Sequence, residues 1–368
     1  MTAPTKIKKR VAQASVTAAH STVSSVKVDA LPSLDELRSY IPEECFKVDT
    51  PISTVYLLLF ALLLASSIWV YPYCESTIGF LLYCSFYGTV MWSVFCIGHD
   101  CGHSVFSSST LVNDVVGHFT HGFRLVPYWP WALSHHHHHI GHNHVENDFS
   151  HFWCTPELRS KMNILGRLIA ESNLVLLLLT PINFALYLYP GFGDGTHLFP
   201  WGDLWKRTSG GMRERLRGVA SSVVVFLISG ALYQFGLGWA YFGPWFVYNS
   251  WLFIVTYMQH HRSDALVYGD ESWTFVKGAF QTVDRVMGLG SDYFTLCITS
   301  DHLVHHLFFR GIPHYHLRKA TLALRSGLSA RGMEKAYLSV YYSSPLHYLA
   351  HFASTVLSCG ITQFILVN

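Results

Sequence analysis

Five apolar stretches without Asp, Glu, Lys or Arg punctuate the chain: Pro51 to Cys74, Ser76 to His99, Ser172 to Gly193, Val219 to His261, and Ala336 to the end. A membrane-crossing helix needs about 20 consecutive apolar residues. Each of the first two stretches therefore accommodates one such helix, and the 43-residue fourth stretch accommodates two. Gly236, Gly238, Gly243 and Pro244 cluster inside that fourth stretch and predict its break. The expected helices lie near 52–72, 77–98, 218–236 and 243–260, arranged as two hairpins. The stretch 172–193 is interrupted by Thr180 and Pro181. A full crossing there would also put His260 on the opposite side from His99, so an interfacial or re-entrant segment is expected. The apolar C-terminal segment 336–368 fits either a further span or an interfacial helix, and the pattern leaves both open.

Basic residues set the orientation. The turns around Tyr73 to Glu75 and Gly236 to Pro244 hold no Lys or Arg, whereas the N-terminal region 1–50 and the segments Asp100 to Glu171 and Arg262 to Lys335 hold many. The excess of Lys and Arg in cytosolic loops places those charged regions in the cytosol. His99 and His260 then both emerge at cytosolic helix ends. The fold expected is an all-α integral membrane protein of four transmembrane helices under a cytosolic helical cap, with residues 51–335 as its main domain.

Composition agrees. The chain is 50% hydrophobic and only 13% charged, with mean hydropathy +0.26, where a soluble domain is about one quarter charged. A net charge of +2 removes the electrostatic case for a nucleic-acid partner. The polar first fifty residues, with Lys6, Lys8, Lys9 and Arg10, do not read as a signal peptide. Eight cysteines without a CxxC pair indicate neither a zinc ribbon nor a disulfide framework, and fit a reducing, cytosol-facing compartment.

The candidate chemistry lies in 23 histidines, twelve of them between His99 and His151 and seven between His260 and His316. His99 and His103 stand at i and i+4, on one helical face directly after an apolar helix. The five-histidine run reads as HxxHH, with His135, His138 and His139 on one face and His136 and His137 turned away. The same pattern recurs at His302, His305 and His306. His260 is a natural ninth member, with His261 beside it as the alternative. A lone histidine is usually a hydrogen-bonding or packing residue, but three repeated clusters on one membrane face point to metal. Nine imidazoles exceed one ion's shell, so two ions are expected. Structural zinc favours four ligands with Cys among them, whereas imidazole also suits redox-active iron. Asp100, Asp301, Glu146 and Asp148 flank the clusters and are candidates to hold a ligand's second ring nitrogen, although Glu146 and Asp148 read equally well as solvated loop carboxylates. His118, His121, His142, His144, His151, His314 and His316 are assigned to hydrogen bonding or local packing. His20, His197, His347 and His351 carry no cluster signal.

These boxes resemble those of the membrane fatty acid desaturases, specifically the methyl-end group of Δ12 and ω-3 enzymes, over roughly Pro32 to Thr321. The stretches that carry the resemblance are Ile41 to Phe46, Gly98 to His103, Trp131 to His139, His144 to Asp148, Thr282 to Arg285, His302 to His306, Ile312 to His316, and Ala320 with Thr321. The resemblance implies a four-helix anchor under a cytosolic cap that holds a non-haem di-iron centre, with His99, His103, His135, His138, His139, His260, His302, His305 and His306 as ligands. It also implies O2-dependent removal of two hydrogens from an acyl chain of about eighteen carbons, carried on phospholipid or CoA, in the endoplasmic reticulum membrane. Electrons would come from cytochrome b5 and its reductase. No HPGG-type haem motif is present, so the cytochrome b5 is expected as a separate protein. The apolar C-terminus departs from the family's usual polar tail.

A hydroxylase, acetylenase or conjugase would use the same boxes, which do not separate these outcomes. A histidine-rich zinc transporter would carry ionisable ligands inside its spans, whereas here the histidines of the apolar stretches lie at their ends, His347 and His351 excepted. Trp92, Phe95, Trp129 and Trp251 are candidate walls of an acyl tunnel, or ordinary packing and interfacial aromatics.

Overall fold

Asp49 starts the first long helix. Its carboxylate accepts from the Ile52 N–H at 2.9 Å, and Pro51 sits in the first turn, where a missing N–H costs nothing. The computed structural model describes residues 31–149, 151, 153–183, 197–207 and 210–367. His20, the basic run at 6–10 and the part of the expected interfacial segment beyond Asn183 lie outside the described residues. Helix α1 spans Thr50–Ala65, α2 Thr77–Gly102, α3 Thr110–Gly122 and α4 Tyr128–Ile140. Two short helices follow, α5 at Ile164–Glu171 and α6 at Asn173–Leu178, then the long α7 at Gly211–Gln234 and α8 at Gly238–His260. Strands β1 (Leu266–Tyr268) and β2 (Asp284–Val286) precede α9 (His302–Phe308) and α10 (His314–Ala330). The chain ends with β3 (Ser339–Tyr341), α11 (Pro345–Cys359) and β4 (Ile365–Val367).

Thr50–Tyr73, α2 and α7 are each long and apolar enough to cross a membrane. Their outward residues include Leu58, Leu59 and Leu62 of α1 and Phe226 and Leu227 of α7, all exposed, as lipid rather than water would require. The break between α7 and α8 falls at Phe235 to Leu237, earlier than the Gly236 to Pro244 cluster predicts, and Pro244 lies inside α8. The physical reason is local. Proline at 244 cannot donate to the Ala240 carbonyl four residues back, and the Tyr83 hydroxyl of α2 donates to that carbonyl instead, at 2.7 Å. An orphaned buried carbonyl costs about 1–3 kcal/mol, and the phenol offsets it, so the helix runs through the proline.

Helix α2 is the central element and packs on α1, α3, α4 and α8. Two glycines permit the closest approaches. A Cβ at Gly88 would lie 2.6 Å from the Pro244 carbonyl oxygen of α8, and one at Gly98 would lie 2.2 Å from Thr120 Oγ1 of α3. The described part of segment 172–193 is α6 followed by a 3-10 turn at Thr180–Ile182 that packs on α8. Six helical residues are too few to span.

The C-terminal segment adds strands that neither sequence reading included. It holds a 15-residue helix, α11, flanked by strands that each pair with the histidine-bearing layer. Strand β3 runs parallel to β2 with Asp284 opposite Ser339, and β4 runs parallel to β1 with Leu266 opposite Ile365. Helix α11 therefore leaves and re-enters the same layer, resting on α6 and α8. These four strands also qualify the all-α expectation. A glycosylation acceptor carried on a flexible tail after Val367 is expected to remain unmodified in microsomes, like one placed between Asp100 and Phe149. Modification of the tail alone would show that α11 crosses.

Candidate metal centre

Each histidine box supplies an i, i+4 pair to one group, and each of the two HxxHH boxes sends its odd member to the other. His99 ends α2 and His103 caps it, so both rings leave the same face, and their Nε2 atoms stand 3.2 Å apart. On α4, His135 and His139 join them, with Nε2 atoms 3.1 Å apart, and His305 of α9 closes the group at 3.1 Å from His139. The second group inverts the roles. His302 and His306 of α9 are the pair, 3.1 Å apart, His260 at the end of α8 lies 3.2 Å from His302, and His138 comes across from α4. Helical spacing dictates this division, since positions i and i+4 share a face while i+3 lies to one side.

The nine sequence-designated histidines thus converge, and a tenth joins them. His138, His142, His260 and His306 form one set, and His99, His103, His135, His139 and His305 another, each with its ligand atoms within 4.8 Å of one another. Two nitrogens bound to one ion at about 2.1 Å lie about 3 Å apart when their bonds meet at right angles, so the 3.1–3.2 Å spacings suit an all-imidazole metal site. Among the described residues, six buried Nδ1 atoms of these ten rings, those of His99, His139, His142, His260, His302 and His306, have no hydrogen-bond partner, while the paired Nε2 atoms turn inward. His142 also hydrogen-bonds Thr282 Oγ1 at 3.2 Å, as its expected packing role requires. Its place in the set was signalled by the His138 spacing of four residues, but the helix stops at Gly141, so only the tertiary structure brings it in. His261 takes no part. Its ring stacks on Trp153 and Tyr257. His136 leans toward Phe309, outside both sets.

The carboxylates sort differently from the sequence expectation. Asp148 is buried and accepts from His138 Nδ1 at 2.6 Å, with His142 Nδ1 at 3.5 Å from its other oxygen, while Glu146 is exposed. Asp100 accepts from His314 Nδ1 at 2.7 Å and stands 3.8 Å from His99 Nδ1, so His314 is its main partner. Asp301 meets Arg318 at 3.2 Å and Ser300 Oγ at 2.8 Å, with no hydrogen bond to a box imidazole. The start of α9 is held instead by Asp284, which accepts from the His302 and Leu303 N–H groups at 2.8 and 2.9 Å. Sequence reasoning missed that residue, which lies 18 positions upstream.

Burial and then the neighbouring imidazoles hold His103, His135, His139, His302, His305 and His306 well below the ordinary histidine range. Burial alone would raise the Asp148 carboxyl, but His138 and His142 bring it well below the usual carboxylate range. These six rings are therefore neutral near pH 7, the form that ligates metal. A cavity passes the two groups, lined by His99, His135, His138, His260 and His302 and continued by Trp92, Phe95, Leu252, Ile169 and Leu176. Of the four aromatics weighed as tunnel walls, Trp92 and Phe95 line it. Trp129 donates instead to Glu214 and Trp251 to Thr89 Oγ1.

Replacing His138 or His305 by Ala is expected to abolish turnover and lower metal content with membrane insertion intact, whereas His136→Ala keeps both. Activity and metal analysis of the purified variants check this. A pH prediction follows from burial. A histidine depressed in the folded state takes up a proton first in the unfolded chain, near pH 6.5. Stability of the metal-free protein is thus fully present above that pH and is lost as pH falls. Thermal unfolding of chelator-treated protein between about pH 7 and pH 5 should show a falling midpoint, and a flat profile would contradict the neutral-imidazole packing.

The fatty acid desaturase family model matches residues 76–339. The chain is 35% identical to a Δ12 fatty acid desaturase of Caenorhabditis elegans over 91% of its own length and 93% of that protein. It is 32% identical to an ω-3 fatty acid desaturase of the same organism, over 91% and 84%. An acyl-lipid ω-3 desaturase (cytochrome b5) of the endoplasmic reticulum in Arabidopsis thaliana is 32% identical over 79% of this chain and 75% of that protein. With its histidine boxes gathered into two metal-competent groups beside one apolar cavity, the chain belongs to the membrane fatty acid desaturases, oxidoreductases of the methyl-end group that holds the Δ12 and ω-3 enzymes.

Proposed function

We propose that the enzyme introduces a double bond toward the methyl end, at Δ12 or ω-3, of an already unsaturated acyl chain of about eighteen carbons. The observation that carries this reading is the shared apolar cavity, which brings hydrocarbon past both histidine groups at once. His99, His103, His135, His139 and His305 would hold one iron ion, and His138, His260, His302 and His306 the other, with His142 adjacent to the second. Two non-haem iron ions with O2 would supply the oxidising power that side chains lack for an unactivated C–H bond. Electrons are proposed to come from a separate cytochrome b5 and its reductase, in keeping with the Arabidopsis relative's name.

The chain's own residues do the positioning. Asp148 accepts the His138 Nδ1 proton, which fixes that ring's tautomer and leaves Nε2 free for metal. Asp284 sets the first turn of α9 and hence the direction of His302, His305 and His306. Trp92, Phe95 and Leu252 give the acyl chain a dry wall, and a buried chain held in one register is what makes a single pair of carbons react. Four crossings, α1, α2, α7 and α8, are proposed, with the histidine layer facing the cytosol and the protein in the endoplasmic reticulum membrane. Helix α8, at 23 residues, has the length to span about 30 Å of hydrocarbon.

Yeast expressing the chain and fed oleate and linoleate in separate cultures tests the reading. New 18:2 from oleate establishes Δ12 activity, and new 18:3 with an ω-3 bond establishes ω-3 activity. No new unsaturation, with the protein present in membranes, overturns both.

A further inference from the structure

The turn between α3 and α4 carries a charge where its surroundings are apolar. Arg124 is fully buried. Its Nε donates to the Met91 carbonyl of α2 at 3.0 Å, and its Nη1 donates to the Thr120 carbonyl at the end of α3. Met91 precedes His99 by eight residues, about 12 Å down the α2 axis at about 1.5 Å per residue. The guanidinium thus sits beside the middle of a long apolar helix. Its third nitrogen, Nη2, has no hydrogen-bond partner, and among the described residues no carboxylate pairs with it. The neighbouring Tyr248 ring lies 5.8 Å away, and its buried hydroxyl is also unpartnered.

Arg124 lines a second cavity. Met91 and Val94 of α2 face this cavity, whereas Trp92 and Phe95 face the one at the histidines, so α2 is the wall between them. The remaining lining is mostly hydrocarbon and aromatic, with Ala61 and Leu64 of α1 on one side and Leu232 of α7 on another. Two carbonyl oxygens give the cation dipoles but no countercharge. A buried charge one partner short is costly in such surroundings, and an anion offsets that cost.

We propose that this second cavity binds a single-chain long-chain fatty acid, with its carboxylate on Arg124 and its hydrocarbon against α1, α2 and α7. One cation matches one carboxylate, and the unpartnered Nη2 can donate a charge-assisted hydrogen bond to it. A two-chain phospholipid fits less well, because its headgroup would have to leave the membrane surface to reach the middle of α2. The site is separate from the substrate cavity and does not depend on the metal centre or on the regiochemistry.

The test is photo-labelling of the full-length, iron-loaded protein in phosphatidylcholine nanodiscs with an eighteen-carbon fatty acid bearing a diazirine in its chain, followed by peptide mapping. Labels are expected on the α1 and α7 walls, in addition to any in the substrate cavity. Oleic acid should compete for the wall labels, whereas oleyl alcohol should not. Arg124→Gln should reduce the wall labels by about tenfold or more, the loss expected for a charge-assisted hydrogen bond, while Arg124→Lys retains them. Should Arg124→Gln fail to fold, Ala61→Trp fills the same cavity from the opposite wall and should remove the wall labels with iron content unchanged. Equal competition by the alcohol, displacement by added phosphatidic acid but not by oleic acid, or wall labelling that survives both Arg124→Gln and Ala61→Trp, each overturns the proposal.

Discussion

Ten imidazoles packed against one another in one buried volume are the constraint on which the rest of the structure depends. Their ring nitrogens stand as little as 3.1–3.2 Å apart, so the cluster exists only where helices fix the direction of each ring. Four separate chain segments deliver them: the end of α2, the last turns of α4 with the turn that follows it, the end of α8, and α9. None can shift by a turn without leaving a gap in one of the two groups.

That requirement explains the framework around the site. Helices α2 and α8 are long, closely packed and joined through contacts that tolerate no extra atoms, as at Gly88 against Pro244. Their register therefore sets the relative height of His99 and His260. Helix α9 is only seven residues long and has no side-chain cap of its own. It depends on Asp284, a carboxylate that burial and the nearby Asp301 push up to about 8 and that also accepts from the Tyr337 hydroxyl. The strand pairing of β2 with β3 then ties this support to the C-terminal segment, so residues far from the metal-competent groups contribute to their shape.

The same packing separates two kinds of apolar space. One face of α2 lines the cavity that passes the histidines, and the other lines the cavity at Arg124. Alternation of Met91, Trp92, Val94 and Phe95 between the two is the ordinary 3.6-residue rotation of a helix. Its effect is that one element positions ligands at its end and divides hydrocarbon sites along its length.

The histidine boxes were legible in the sequence because a helix converts spacing into direction locally: residues 99 and 103, 135 and 139, and 302 and 306 share faces wherever they lie. The apolar stretches were legible for the same reason, since crossing length is a property of the segment alone. Which box member joins which group, the entry of His142 after the helix stops at Gly141, and the choice of His260 over His261 depend on rings brought together from as far apart in the chain as His99 and His305, and no local pattern encodes that distance. Likewise, Asp301 is the expected holder of a ligand imidazole while Asp148 reads equally well as a solvated loop carboxylate, and only the folded chain reverses this, burying Asp148 against His138 and turning Asp301 to Arg318. The C-terminal segment shows the same limit. Its lack of charge says that it avoids water, whereas the pairing of β3 and β4 with strands of the histidine layer decides that it folds back, because backbone hydrogen bonds are specified by the partner edge and not by hydropathy.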